Sequence, residues 1–334
     1  MKGKQGMVCM GLLLVLSSCH TGKQITASGL QRKDFQTEVN GQHTDLFTLS
    51  NKQGMEVCIT NYGARVVSIL VPDRNGKRED VVCGFSTITE YMEQRQNFGS
   101  TVGRYIGRIL NARFTLDGVE YKLVPNNGKS GHISHGGNPG FADRIWKVEQ
   151  ADTHRVCLSY LSPDGENGFP GNLKVTLVYS LGEDDNALDL TYEATTDAPT
   201  VLNLSHHSFF NISGNFTKSV EDQQLWVDAD RFTPYDDKKC VTGEYLPVAG
   251  TPLDFRMPHA IGECIDADHP QLKVVNGYDH TWELNTKGDD TRPAAWVYDP
   301  ASGRKMEIFT TEPGMQIYTG NGLKGKMTGK GGMA

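Results

Sequence analysis

Beyond Lys33 the chain alternates apolar and polar residues in short runs. Asp45 to Ser50, Met55 to Thr60 and Arg65 to Val71 form three such runs, parted by NKQG and NYGA. Alternation with a period of two is the signature of a strand with one buried face. RNG at 74–76, LDG at 116–118 and LGEDDN at 181–186 carry the glycine, asparagine and aspartate that tight hairpin turns require. Only Ile88 to Gln96 (ITEYMEQRQ) reads as helical, and it is short. Many strands without βαβ alternation predict an all-β protein, a large antiparallel β-sandwich. No repeat, low-complexity tract or composition break divides the body, so 34–334 is expected to be one domain.

The first residues break the pattern. Lys2 and Lys4 precede an apolar run from Met7 to Leu16, followed by Ser17, Ser18 and Cys19. The run is too short to span a bilayer and reads as a secretory signal. LSSC at 16–19 resembles a bacterial lipoprotein cleavage site. It implies a leader over 1–18, lipid on Cys19 and a polar tether over 19–33. The location implied is the bacterial cell envelope, periplasm-facing or on the outer membrane. An ordinary signal peptide, giving a soluble secreted or periplasmic protein, is the alternative.

Within NLSHHSFFN (203–211) two histidines are adjacent, and neighbours on a strand point to opposite faces. Leu202, Leu204, His206, Ser208 and Phe210 share the face richer in leucine, the expected core side. That leaves His207 facing a polar cavity with Asn203 and Ser205. A bulge would swap the two histidines. A second pair lies in GHISHGGNPGFADRIW (131–146), whose glycines and proline demand a loop. A metal site built from His132, His135, His206 and His207 finds no matching carboxylate pattern. GNGLKGKM (320–327) matches phosphate-loop spacing as far as Lys326, but Met327 stands where Ser or Thr is needed.

Composition narrows the ligand. The chain is 37% hydrophobic and 22% charged, as globular proteins are, and its net charge is −7. With no Lys/Arg cluster interleaved with aromatics, a nucleic-acid surface is excluded and a small neutral ligand fits better. Of the seven cysteines, Cys58, Cys83, Cys157, Cys240 and Cys264 remain once Cys9 leaves with the leader and Cys19 carries lipid. Five widely spaced residues indicate neither a disulfide framework nor a zinc site.

NLSHHSFFNISG (203–214) resembles the strand of aldose 1-epimerases, or galactose mutarotases, that carries the catalytic acid. The resemblance runs on through GRYIGRI (103–109), SHGG (134–137), FADRIW (141–146), GTPLDFR (250–256), NGYDH (276–280) and TTEPGMQIYTGN (310–321), in the family's order. It implies interconversion of α and β anomers of an aldohexose, by general acid–base catalysis worth about 10²–10⁴-fold per group. By resemblance His207 donates the proton to the ring oxygen and His135 supports it. Arg108, Asp254 and Gln316 hold sugar hydroxyls. No cofactor is required, though an incidental cation such as Ca²⁺ is compatible, and a monomer is expected.

Two departures matter. Gly107 stands where an asparagine often precedes the arginine. The family's catalytic base is a glutamate beyond the stretch that here reads GLKGKMTGKGGMA, so no residue of the sequence matches it, and closing strands are expected to be missing. Glu312 belongs to the earlier EPG motif and is no substitute. A non-catalytic carbohydrate-binding lipoprotein is therefore the alternative function. A glycoside hydrolase would need two facing carboxylates, for which only Asp254 offers itself.

Overall fold

A computed structural model describes residues 25–323 and 327–332. The leader, Cys19 and the start of the tether lie outside the described residues. The first four-stranded antiparallel sheet contains β1 (Leu46–Ser50), β2 (Glu56–Thr60), β3 (Arg65–Pro72) and β4 (Arg78–Asp80), in that order. β2 and most of β3 are buried along their length, as their β-branched runs VCIT and VVSI suit. The NKQG and RNG segments make the turns expected of them. A helix, α1 (Ile88–Gln94), follows. Thr87 and Glu90 close its first turn as a capping box, and Arg95 ends it in the left-handed conformation.

The second sheet is β5 (Lys147–Ala151), β6 (Arg155–Ser162), β7 (Leu173–Leu181) and β8 (Leu188–Thr196), again in sequence order. In β7 the alternation is strict: Leu173, Val175, Leu177, Tyr179 and Leu181 are buried and the residues between them are not. They meet Leu49, Val57, Ile59, Val66 and Trp146 in one core. Each fully buried valine or leucine there contributes about 1.5–3 kcal/mol.

After Gln224 two further sheets are woven from β9 (Gln224–Val227), β10 (Arg231–Thr233), β11 (Leu246–Pro247), β12 (His259–Ala260), β13 (Asp279–Glu283), β14 (Ala295–Tyr298), β15 (Lys305–Ile308) and β16 (Gly314–Tyr318). One has the order β12-β9-β14-β15 and the other β11-β10-β13-β16. They enclose a second core around Phe232, Leu253, Phe255, Tyr278 and Trp282. The expected plain sandwich is thus corrected. The protein is mainly β, but its four-stranded sheets are separate and arranged in a propeller-like manner around more than one core. Alternation reveals which side of a strand is buried, not which sheet the strand joins. A second helix, α2 (Pro270–Val275), also escaped the sequence reading; Pro270 starts it and Asn276, left-handed, stops it.

Two buried cations tie distant segments together. Arg104 is 1% exposed and donates to the Ser162 hydroxyl and to the carbonyls of Ser162, Pro163, Pro170 and Gly171. That fixes the segment leading to Arg108. Lys330 reaches back into the first sheet, where its ammonium donates to the Val67 carbonyl (2.7 Å) and pairs with Asp80 (2.5 Å).

Candidate active site

Two short antiparallel pairings bring the predicted histidines together. Ser205–His206 pairs with Thr101–Val102, and Ile133–Ser134 pairs with Arg108–Ile109. The backbone of His207 is clamped on both sides, its N–H donating to Ser100 O and its carbonyl accepting from Gly99 N, each at 2.9 Å. Its ring lies 5.5 Å from that of His135 at an interplanar angle of 88°, and stacks on Phe209 at 5.0 Å. Phe209 in turn meets Tyr318 edge-on at 5.6 Å.

His206 turns the other way. One ring nitrogen lies 2.6 Å from the Ser208 hydroxyl and the other 3.5 Å from the Tyr179 hydroxyl, and burial pushes its pKa down to about 3. The alternation argument therefore separates the two rings as expected, although one of its premises fails. Regular strand covers only Ser205–His206, and Leu202 and Phe210 are exposed rather than in the core.

The loop after Ser134 holds His135 with φ 54°, in the left-handed region that costs a non-glycine residue about 1–2 kcal/mol. Gly136 follows with φ 79°, where a Cβ would stand 1.9 Å from the Gly103 carbonyl oxygen. His135 and Gly107 exchange two bonds: His135 N–H donates to Gly107 O (2.9 Å), and Gly107 N–H donates to His135 Nδ1 (3.3 Å). An Nδ1 that accepts leaves the ring proton on Nε2, free to donate. Burial, with the charges of His207 and Arg108, pushes the His135 pKa down to about 3, so the ring is neutral at any physiological pH. Burial also holds His207 below the ordinary histidine range. Gly107 takes φ 80°. Asparagine tolerates that region too, so the departure at 107 preserves the backbone and removes only a side chain.

The polar wall opposite comes from β13 and β16. Asp279 pairs in register with Tyr318, and Thr281 with Gln316. The Gln316 amide donates to Asp279 Oδ1 (2.8 Å) and to the Tyr235 hydroxyl (3.3 Å), and its oxygen accepts from Thr281. Burial raises the Asp279 carboxyl above its usual range, opposed by the Gln316 bond and by the charges of Arg108 and Lys239. Arg108 is anchored by donation to the Lys239 carbonyl at 3.0 Å. Burial and the neighbouring Asp279 also push the Tyr235 phenol up.

Asp254 is not part of this group. Its carboxylate is held by Arg256 at 2.8 Å, and it lines an open surface hollow with Thr251, Met257 and His259. Alternation along β13 explains the separation. Asp279, Thr281 and Glu283 share one face, while buried His280 and Trp282 share the other, against which the GTPLDFR loop packs through donation from Trp282 Nε1 to Leu253 O (3.0 Å). The carboxylate beside Arg108 is Asp279, inside the NGYDH motif, and the polar-apolar alternation of DHTWE was the signal for it. His132 is apart as well: it is buried, and its Nδ1 accepts from Asn111 N–H at 3.0 Å. Among the described residues, no three of His, Cys, Asp or Glu cluster as a metal-ligating group.

A cluster of side chains with a neutral histidine donor, a second titratable histidine, a guanidinium, a carboxyl and an amide is equipped to hold a polyol and move a proton at one of its oxygens. A family model described as aldose 1-epimerase matches residues 45–334. The chain belongs to the aldose 1-epimerase family. Among the family's members, a galactose mutarotase of Sus scrofa is 39% identical over 286 residues, covering 86% of this chain and 80% of the relative. An aldose 1-epimerase of Escherichia coli is 36% identical over 286 residues, covering 86% and 81%. Among solved structures, an aldose epimerase homologue from C. elegans superposes with a TM-score of 0.79 at 31% identity, covering 86% of this chain and 85% of that one. A galactose 1-epimerase from Lactobacillus acidophilus gives 0.77 at 30% identity, covering 87% and 83%. The family match thus extends over most of the chain and includes every segment that carries these side chains.

Proposed function

We propose that the protein acts as an aldose 1-epimerase, interconverting the α and β anomers of a hexose such as glucose or galactose. The observation that carries the reading is the perpendicular pair of His135 and His207, 5.5 Å apart, faced by Arg108 and Asp279. His207 gives its proton to the ring oxygen as the bond from C1 to that oxygen breaks, while a base removes the proton of the anomeric hydroxyl. Rotation about C1–C2 presents the other face of the aldehyde, and the reverse transfers close the ring. Neutral His135 offers its Nε2–H to the same oxygen. Arg108, Asp279 and Gln316 hold the remaining hydroxyls, so that rotation happens at C1 and not in the rest of the sugar. No metal or organic cofactor enters these steps.

Polarimetry of freshly dissolved α-D-glucose or α-D-galactose tests the activity: no acceleration by the folded natural protein refutes it. Sugar binding in calorimetry without acceleration supports instead a non-catalytic carbohydrate-binding protein. We further propose that Cys19 is lipidated and anchors the domain in the cell envelope, as the LSSC stretch after an apolar run implies. Incorporation of labelled palmitate that is lost in Cys19→Ala supports this, and a soluble, unlabelled wild-type protein overturns it.

A further inference from the structure

His135 holds a left-handed backbone conformation that its side chain disfavours, so the surrounding chain must over-determine it. On the side that precedes it, the pairing of Ser134 with Arg108 and the bond from His135 N–H to Gly107 O do so. On the side that follows, the fastening comes from the second sheet, through the loop 163–172 between β6 and β7. The Asn167 amide there donates to the carbonyls of Gly136 and Pro139, each at 2.9 Å. Those two bonds use both hydrogens that an amide nitrogen carries. The fit is close: a Cβ on Gly137 would stand 2.5 Å from Asn167 Cγ.

Asn167 is itself held from behind. It takes φ 51°, a region that asparagine enters more readily than most residues, and its carbonyl accepts from Val124 N–H at 3.0 Å. Gly168 presses the turn against the neighbouring hairpin, where a Cβ would stand 2.4 Å from the Lys122 carbonyl oxygen. The Glu166 carboxylate accepts from Arg144 (2.6 Å), from the Tyr160 hydroxyl (2.7 Å) and from the Ser162 hydroxyl. Phe169 is buried in one cluster with Ile133, two residues before His135. Carbonyls of the same loop, at Pro163, Pro170 and Gly171, receive Arg104. One loop therefore fixes both the approach to Arg108 and the chain that follows His135. None of the side chains that the proposed reaction uses comes from it, so what it supplies to the site is placement.

We propose that Asn167 is a positioning residue for His135, whose amide staples the loop after that histidine so that the ring Nε2–H meets the sugar's ring oxygen. This rests on the epimerase reading and deepens it. A donor displaced by about 1 Å can cost about 10²-fold in rate. The bond it makes strengthens only as charge builds on the ring oxygen, so its loss falls on kcat and leaves KM alone. Alanine offers no donor, and aspartate, of the same shape, turns only acceptors toward two carbonyl oxygens. In polarimetry with α-D-glucose, Asn167→Ala and Asn167→Asp should each lower kcat about 10- to 100-fold, with KM within about twofold. Asn172→Ala unties the Asp164 N–H (3.0 Å) and Asp197 (2.7 Å) on the same loop, and should keep kcat within about twofold. A kcat within about threefold of the natural value in either Asn167 variant, a loss carried by KM, or an equal loss in Asn172→Ala overturns the proposal. Nitrogen-15 spectra of the histidine rings read the same point without turnover. In Asn167→Ala the His135 ring should leave its fixed Nε2-protonated tautomer while buried His280 keeps its signals, and unchanged His135 signals overturn the proposal. If the natural protein does not accelerate mutarotation, the epimerase reading falls by itself, and the ring spectra still decide whether Asn167 holds His135.

Discussion

Replacing His280 by asparagine tests how much acid stability sits behind the Asp279 face of β13. The imidazole is fully buried, edge-on to Phe232 at 5.8 Å and to Trp282 at 6.3 Å, and its Nδ1 accepts from the Asp279 N–H at 3.3 Å. Its Nε2 finds no hydrogen-bond partner among the described residues. Burial, with His269 nearby, pushes its pKa down to about 4, whereas an unfolded imidazole titrates near ~6.5. Because the folded value is the lower one, the unfolded chain takes the proton first as pH falls. The contribution is intact above the unfolded value and is lost between the two. At ~1.4 kcal/mol per pH unit, His280 withdraws about 2 kcal/mol by pH ~5, a large share of a typical ~5–15 kcal/mol. Asparagine keeps an oxygen for the Asp279 N–H and does not titrate. Denaturant unfolding at neutral pH and at pH ~5 should show a variant that is less stable at neutrality, because a cavity opens, yet loses about 2 kcal/mol less on acidification. Parallel losses in variant and wild type would refute the reasoning.

Three further outcomes follow from the site. His207→Asn should lower the mutarotation rate by about 10²–10⁴-fold with an unchanged circular dichroism spectrum; a fall of less than about threefold contradicts its role as acid. Asp279→Asn should reduce kcat/KM about tenfold or more, the cost of a lost charged hydrogen bond, while Asp254→Asn leaves it within about twofold. The reverse ranking in the same polarimetric assay would return Asp254 to the site. Gly136→Ala should cost about 3 kcal/mol or more in thermal unfolding, since it combines a positive φ with a clash on the Gly103 carbonyl; a melting temperature equal to wild type argues against that packing.

What the sequence made legible was local. The runs at 45–50, 55–60 and 65–71 are β1, β2 and β3 almost to the residue, and ITEYMEQRQ is α1, because period and capping are written in neighbouring residues. The pairing of His207 with His135 was legible as two motifs. Their meeting depends on two-residue strand pairings that no period reveals. Asp254 and Asp279 show the limit most clearly. Both sit in family motifs, and both are carboxylates near aromatic residues. Only the packing of the GTPLDFR loop behind β13 decides which of them faces Arg108. Sheet membership was illegible for the same reason: β9 and β10 are adjacent in the chain yet belong to different sheets.

The burial of Lys330 has a consequence for the order of events during synthesis. Its contact with the Val67 carbonyl closes a loop of 263 residues, and with Asp80 it occupies a place inside the earliest four-stranded sheet to leave the ribosome. That sheet can therefore collapse early but cannot be sealed until nearly the whole described chain has emerged. Contacts of such sequence separation slow folding, and they do so here at a fixed point in translation. A nascent chain stays in that half-closed condition until Lys330 has emerged.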